Sequence, residues 1–263
     1  MAKLILFDVD GTLYRRDCKV PESAKKAIET CIKNGYHVML CTGRNHSIIP
    51  EEVRDLPVTG EIEGCGTYVS VNGKILTDAA LTGATCQEVL SILYDCRCPF
   101  YIENSDYFYY DHNYVPPVFA PAVQSLNTNY PGYGKHIHQF TNRISKITGY
   151  PEDRSRLAEL QERLSPWFDV IIHEEYVYIE IILKGYSKGT GVKQVINYLA
   201  IDPKDTYGFG DSMNDLPMLE IVAHGIVMGG ATESLKQRFP STTSIYDDGI
   251  ANGLKALGLI YHL

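Results

Sequence analysis

The chain has 263 residues, 44% of them apolar and 21% charged, and its 24 basic and 32 acidic side chains give a formal charge of −8. That balance belongs to a globular protein with ample core, not a disordered one, and it excludes a general nucleic-acid binder, which needs clustered Lys and Arg. No apolar run approaches the ~18–20 residues of a membrane helix, and the opening run breaks into acids too soon for a secretory signal.

Lys3–Phe7 is a short continuous apolar run, the pattern of a strand buried on both faces of a parallel sheet, and it ends on Asp8-Val9-Asp10-Gly11-Thr12. Pro21–Asn34 has Ala24, Ala27, Ile28, Cys31 and Ile32 at helical spacing, with Gly35 suited to the stop. Tyr36–Cys41 reads as a second strand, ending on Thr42-Gly43-Arg44, and Val69–Val71 as a third, closed by the turn signal Asn72-Gly73. The texture then changes. Pro99–Asn104, Tyr107–Asp111, Arg143–Thr148, Val170–His173 and Tyr176–Leu183 are alternating, Tyr-rich strand candidates, joined by helices at Thr85–Cys96 and Glu152–Leu164. Asn113–Gly134 holds four prolines and little periodicity, so a long irregular crossover is expected there.

Past Leu183 the α/β rhythm returns: a helix over Ser187–Ala200, a strand over Thr206–Gly210 ending on Asp211-Ser212-Met213-Asn214-Asp215, and a helix over Leu216–Val222. A strand at Gly225–Met228, a helix near Glu233–Phe239 and a last strand near Thr243–Ile245 complete the pattern. The expected architecture is an α/β core with a Rossmann-like parallel sheet, made from residues 1–81 and 184–263, with an α+β domain inserted as residues 82–183. Charge supports the boundary: the insert has 7 basic and 13 acidic residues, the remainder 17 and 19.

The polar residues fall at strand ends. In a parallel sheet Asp8, Asp10, Asp211 and Asp215 would all reach one edge, where ligands bind in open α/β sheets. Crowded carboxylates repel unless a cation intervenes, and Mg²⁺ suits hard oxygen ligands. Thr42-Gly43 offers a hydroxyl and backbone N–H groups, and Ser187-Lys188-Gly189 an ammonium at a helix N-terminus. Together these make a phosphate site, and a carboxylate beside phosphorus can form an aspartyl-phosphate. The cysteines, 18, 31, 41, 65, 86, 96 and 98, are odd in number and scattered without a C-x-x-C, as in a reduced cytoplasmic protein. The four histidines of the insert show no metal-ligand spacing.

With these segments in this order, the sequence resembles the haloacid dehalogenase (HAD) superfamily, in particular its Cof-type phosphatases with a large α/β cap. Asp8-Val9-Asp10-Gly11-Thr12 looks like the first motif, Thr42-Gly43-Arg44 the second, Lys188 the third and Gly210–Asp215 the fourth. The resemblance implies a phosphatase in which Asp8 attacks phosphorus and Asp10 serves as general acid and then base. It implies Mg²⁺ held by Asp8, Asp10 through its backbone carbonyl, and Asp211, with Asp215 further out or as an additional ligand. Thr42, Gly43, Lys188 and Asn214 would hold the phosphoryl oxygens, Arg44 would either reach toward the substrate or form a surface ion pair, and the insert would select the substrate. Small phosphorylated metabolites, sugar phosphates above all, fit an acidic insert. A phosphomutase, or a non-enzymatic protein that binds a phosphorylated ligand, stays as the alternative.

Overall fold

The apolar run near the N-terminus forms strand β1 (Leu4–Phe7), with every side chain buried. The computed structural model describes residues 2–172 and 177–261, so the end of the expected strand Val170–His173 and the start of Tyr176–Leu183 lie outside the described residues. The chain divides into two units. One comprises Met1–Gly43, Pro50–Asp78 and Tyr186–Leu263, and the other Arg44–Ile49 and Ala79–Gly185.

In the first unit, β1 leads to helix α1 (Glu22–Lys33), which buries Ala24, Ala27, Ile28 and Cys31 and stops at Asn34. Strand β2 (His37–Cys41), helix α2 (Glu51–Arg54), and strands β3 (Gly60–Glu63), β4 (Tyr68–Val71) and β5 (Lys74–Asp78) follow. Asn72 and Gly73 have φ of 50° and 76°, so the turn signal closes a β4–β5 hairpin. Val69–Val71 is a strand as expected, within β4, but an additional strand, β3, precedes it; β3 pairs parallel with β2, and β4 runs antiparallel to β3. Strand β3 was hidden because Gly60-Glu61-Ile62-Glu63 has one apolar side chain and two acids.

The second unit adds β6 (Leu81–Thr82), α3 (Thr85–Asp95), β7 (Phe100–Glu103), β8 (Phe108–Tyr110), α4 (Ala120–Asn129) and β9 (Gly134–His136). It continues with β10 (Arg143–Ile144), β11 (Lys146–Gly149), α5 (Leu157–Leu164), β12 (Phe168–Ile172) and β13 (Ile179–Leu183). Six strands form one sheet in the order β12-β13-β11-β7-β8-β9, antiparallel except for the β8–β9 pair. Leu90 and Leu93 of α3 and Leu157, Leu160 and Leu164 of α5 pack with Ile102, Ile147, Ile179 and Ile181 of the sheet. The expected crossover Asn113–Gly134 is in fact built around α4. Pro121 starts a helix instead of breaking one, since it sits in the first turn where no N–H is needed. Phe119, Leu126 and Tyr130 then anchor it beside Phe108 and Tyr110. The expected strand Arg143–Thr148 splits at Ser145, with β10 pairing β6 and β11 joining the main sheet.

Back in the first unit come α6 (Lys188–Leu199), β14 (Thr206–Gly210), α7 (Leu216–Leu219), β15 (His224–Val227), α8 (Glu233–Lys236) and α9 (Gly249–Ala256). The sheet runs β15-β14-β1-β2-β3-β4-β5, with β15 through β3 parallel. The α/β class is as expected. No strand forms over Thr243–Ile245: the Ser244 hydroxyl accepts from the Tyr246 N–H and donates to Asp247, and these local bonds curl the chain into a turn.

Candidate active site

Parallel strands bring their carboxyl ends to one edge, and β1, β2 and β14 end there on Asp8, Thr42 and Asp211. Asp8 is buried, 4% exposed. The capping box of Ser187 and Thr190 starts α6 so that Lys188 occupies its first turn, wholly buried. Its Nζ donates to Asp8 Oδ1 at 2.6 Å and to Asp215 Oδ1 at 2.5 Å. Asp215 turns its other oxygen to the backbone N–H groups of Asp211 (2.9 Å) and Ser212 (3.0 Å), which orients the whole loop.

Asp8, Asp211 and Asp215 each present an oxygen within 4.8 Å of the others. One ammonium faces these three acids, and burial disfavours the excess negative charge. Burial first, then the Asp215 carboxylate, pushes the Asp8 pKa well above the usual range, with Lys188 opposing. Burial and Asp215 likewise raise Asp211 to about 7. Burial alone would lower the Lys188 pKa, but Asp215 and Asp8 together outweigh it, so the ammonium stays charged. The oxygen-only donor set is one that could hold a hard divalent cation, which would add positive charge among the acids.

Two glycines make this crowding possible. Gly11 has φ +76°, and a Cβ there would lie 2.1 Å from Asp211 Oδ2. Gly66 has φ +93° and lets the β3–β4 turn pass against the start of α6, where a Cβ would meet the Ser187 carbonyl at 2.3 Å. That second turn, Gly64-Cys65-Gly66, was overlooked in the sequence, although two glycines around one residue between strands were the available signal.

The other expected residues are distributed more widely. Asp10 is exposed in the middle of the first motif, bridged in backbone to Tyr14. Thr42 is buried, its N–H donating to the Ile62 carbonyl at 2.8 Å and its carbonyl accepting from Cys65 at 3.1 Å. Asn214 sits in the turn Met213–Asp215, accepting from the Ser212 hydroxyl at 2.9 Å. Gly43 is the last residue of the first unit's opening segment, and Arg44 groups with the second unit. There Arg44 Nη1 donates to the Ile48 carbonyl and the Tyr130 hydroxyl, both at 2.7 Å. Among the described residues no helix is long and apolar enough to cross a membrane.

A buried Asp beside a Lys at the edge of a parallel sheet, ringed by further acids, defines a class of phosphoryl-handling enzymes. The signature of the haloacid dehalogenase-like hydrolases matches residues 5–254, and the chain belongs to that family; it is a phosphatase. It is 30% identical, over 98% of its length and 99% of the other, to a Bacillus subtilis protein named "Putative phosphatase YkrA". A Yersinia enterocolitica protein named HMP-PP phosphatase is 25% identical over 97% of this chain and 95% of its own. Among solved structures, a hypothetical protein of Geobacillus kaustophilus aligns with a TM-score of 0.84 at 26% identity, covering 99% of this chain and all of that one.

Proposed function

We propose that the protein is a Mg²⁺-dependent phosphomonoesterase that hydrolyses small phosphorylated metabolites, sugar phosphates first among them, through an aspartyl-phosphate on Asp8. The observation that carries this reading is the Asp8–Lys188–Asp215 contact, buried at a sheet edge with Asp211 beside it. Asp8 Oδ1 is engaged by Lys188, so Oδ2 is the oxygen that attacks phosphorus. Asp10 gives a proton to the leaving oxygen and then takes one from the water that cleaves the acyl-phosphate. Thr42, Gly43, Asn214 and the Lys188 ammonium hold the phosphoryl oxygens, over which charge spreads in the transition state. Asp8, Asp211 and the Asp10 carbonyl would hold Mg²⁺, with Asp215 orienting them. The ion would neutralise developing charge on the transferred group. Residues 82–183 choose the leaving group, while the first unit performs the chemistry.

The test is phosphate release from sugar phosphates, nucleoside monophosphates and HMP-PP, with and without Mg²⁺, using Asp8→Asn as control. Release that needs Mg²⁺ and vanishes in the control is expected. No release from any compound by folded protein would overturn the reading and favour a mutase or a binding role.

A further inference from the structure

Strand β15 is one edge of the seven-stranded sheet and pairs with β14 on its inner side. The Met228 N–H donates to the Gly210 carbonyl at 2.9 Å, which fixes the alternation of the ladder. His224, Ile226 and Met228 bond to β14, while Gly225 and Val227 turn their N–H and C=O groups to the free edge. Val227 is satisfied there. Its N–H donates to the Pro240 carbonyl and its carbonyl accepts from the Thr242 N–H, both at 2.9 Å, in a short parallel bridge. One step back along that bridge, the Gly225 carbonyl would take its bond from the N–H of residue 240. Residue 240 is proline, which has no N–H. Gly225 is buried, yet among the described residues neither its N–H nor its C=O has a hydrogen-bond partner. Buried backbone groups are nearly always paired, so this donor and acceptor side by side point to a ligand.

Gly225 lies in the wall of a cavity of about 790 Å³, within the ~300–1,000 Å³ typical of small-molecule sites. Leu219, Val222, Phe239, Ala256 and Leu257 give it apolar walls. A Cβ at position 225 would lie 2.8 Å from the Leu219 carbonyl and 3.1 Å from the Phe239 ring, so glycine keeps this stretch of edge open. The two titratable residues of the wall are engaged: Glu220 pairs with Arg238, and His224 stacks on Tyr207 with Nε2 3.1 Å from the Lys204 carbonyl. The cavity thus offers apolar surface and one backbone donor–acceptor pair, without a free charge to hold an ion. We propose that it binds a flat, uncharged heteroaromatic lactam, whose ring N–H and C=O pair with the C=O and N–H of Gly225 as an added strand would. The site is built wholly from the first unit, and neither the acids nor Lys188 line it. It is therefore a second site, independent of the phosphatase reading.

The experiment is calorimetric titration of the full chain with three neutral two-ring lactams, quinazolin-4-one, isoquinolin-1-one and phthalazin-1-one. Their N-methyl forms, which keep the rings and the carbonyl but lose the donor, serve as controls. At least one lactam should bind with a Kd of about 1 mM or tighter. Its N-methyl form should bind about tenfold more weakly or worse, because the buried Gly225 carbonyl is then left unpaired. Ala256→Trp, which fills the cavity from an exposed position on α9, should weaken the lactam by about tenfold or more while the circular dichroism stays that of wild type. No binding by any of the three lactams, equal affinity for a lactam and its N-methyl form, or unchanged binding in folded Ala256→Trp would overturn the inference. Should Ala256→Trp fail to fold, the amide resonance of Gly225 in wild-type protein decides: it should move on titration with the lactam, and a fixed resonance would place the binding elsewhere.

Discussion

The Lys188 ammonium donates to Asp8 and to Asp215, which leaves the Asp211 carboxylate without an equal share of positive charge. Burial and Asp215 raise Asp211 from 3.8 to about 7. The folded state therefore favours the protonated form, and the stability this lends is complete below about 3.8 and lost as pH climbs through about 7. Without a divalent cation, the unfolding free energy from urea titration should be smaller at pH 8 than at pH 5.5, by on the order of 2 kcal/mol, and the urea midpoint correspondingly lower. Mg²⁺ added at pH 8 should recover most of the loss, as expected of an ion that would bind the folded arrangement of the three acids. Circular dichroism in EDTA and in Mg²⁺ measures both. A midpoint indifferent to Mg²⁺ would mean that the three acids do not form an ion site.

At the level of elements, helix α6 carries the site at one end and strain at the other. Its start is fixed by the reciprocal Ser187–Thr190 cap. Its C-terminal cap is Ala200, exposed and left-handed at φ 51°, ψ 40°. A Cβ in that region costs about 1 kcal/mol, which glycine avoids. Ala200→Gly should raise the thermal midpoint by a few degrees without changing phosphate release, as a calorimetric scan and one assay would establish. An unchanged or lower midpoint would mean that flexibility of the unfolded glycine chain outweighs the relief. The elements bearing the acids, the threonine and the lysine were legible because apolar runs mark the strands that end on the acids and the threonine, and Ser187 marks the start of the helix that carries the lysine. Strand β3 and helix α4 were not. Glu63 of β3 is buried although acidic by type, and α4 owes its place to Phe119, Leu126 and Tyr130 meeting residues distant in sequence. Neither fact leaves a local periodic signal. The hydrogen bonds from Asn45 to the Glu103 carboxylate were equally invisible, because 58 residues separate the partners.

The whole molecule has a separate core in each unit, and the cysteines report on both. Cys31, Cys41 and Cys65 are buried in the first unit, Cys86, Cys96 and Cys98 in the second, and Cys18 alone is exposed. Burial pushes the thiols of Cys31 and Cys98 up to about 12, so they are neither accessible nor ionised at pH 8. In native protein a thiol reagent at pH 8 should therefore modify Cys18 quickly and leave the other six untouched. In increasing urea the six should become reactive in two sets of three, each following the core that holds it, because a unit with its own apolar core tends to open as a unit. Pulse labelling followed by peptide mass analysis assigns each thiol to its set. The insert has nearly twice as many acidic as basic residues, against near balance elsewhere, so its self-repulsion is the larger per residue and its set should open first. Moderate salt, which screens such repulsion, should bring the two midpoints closer together. One midpoint shared by all six thiols would mean that the two cores unfold as a single cooperative body.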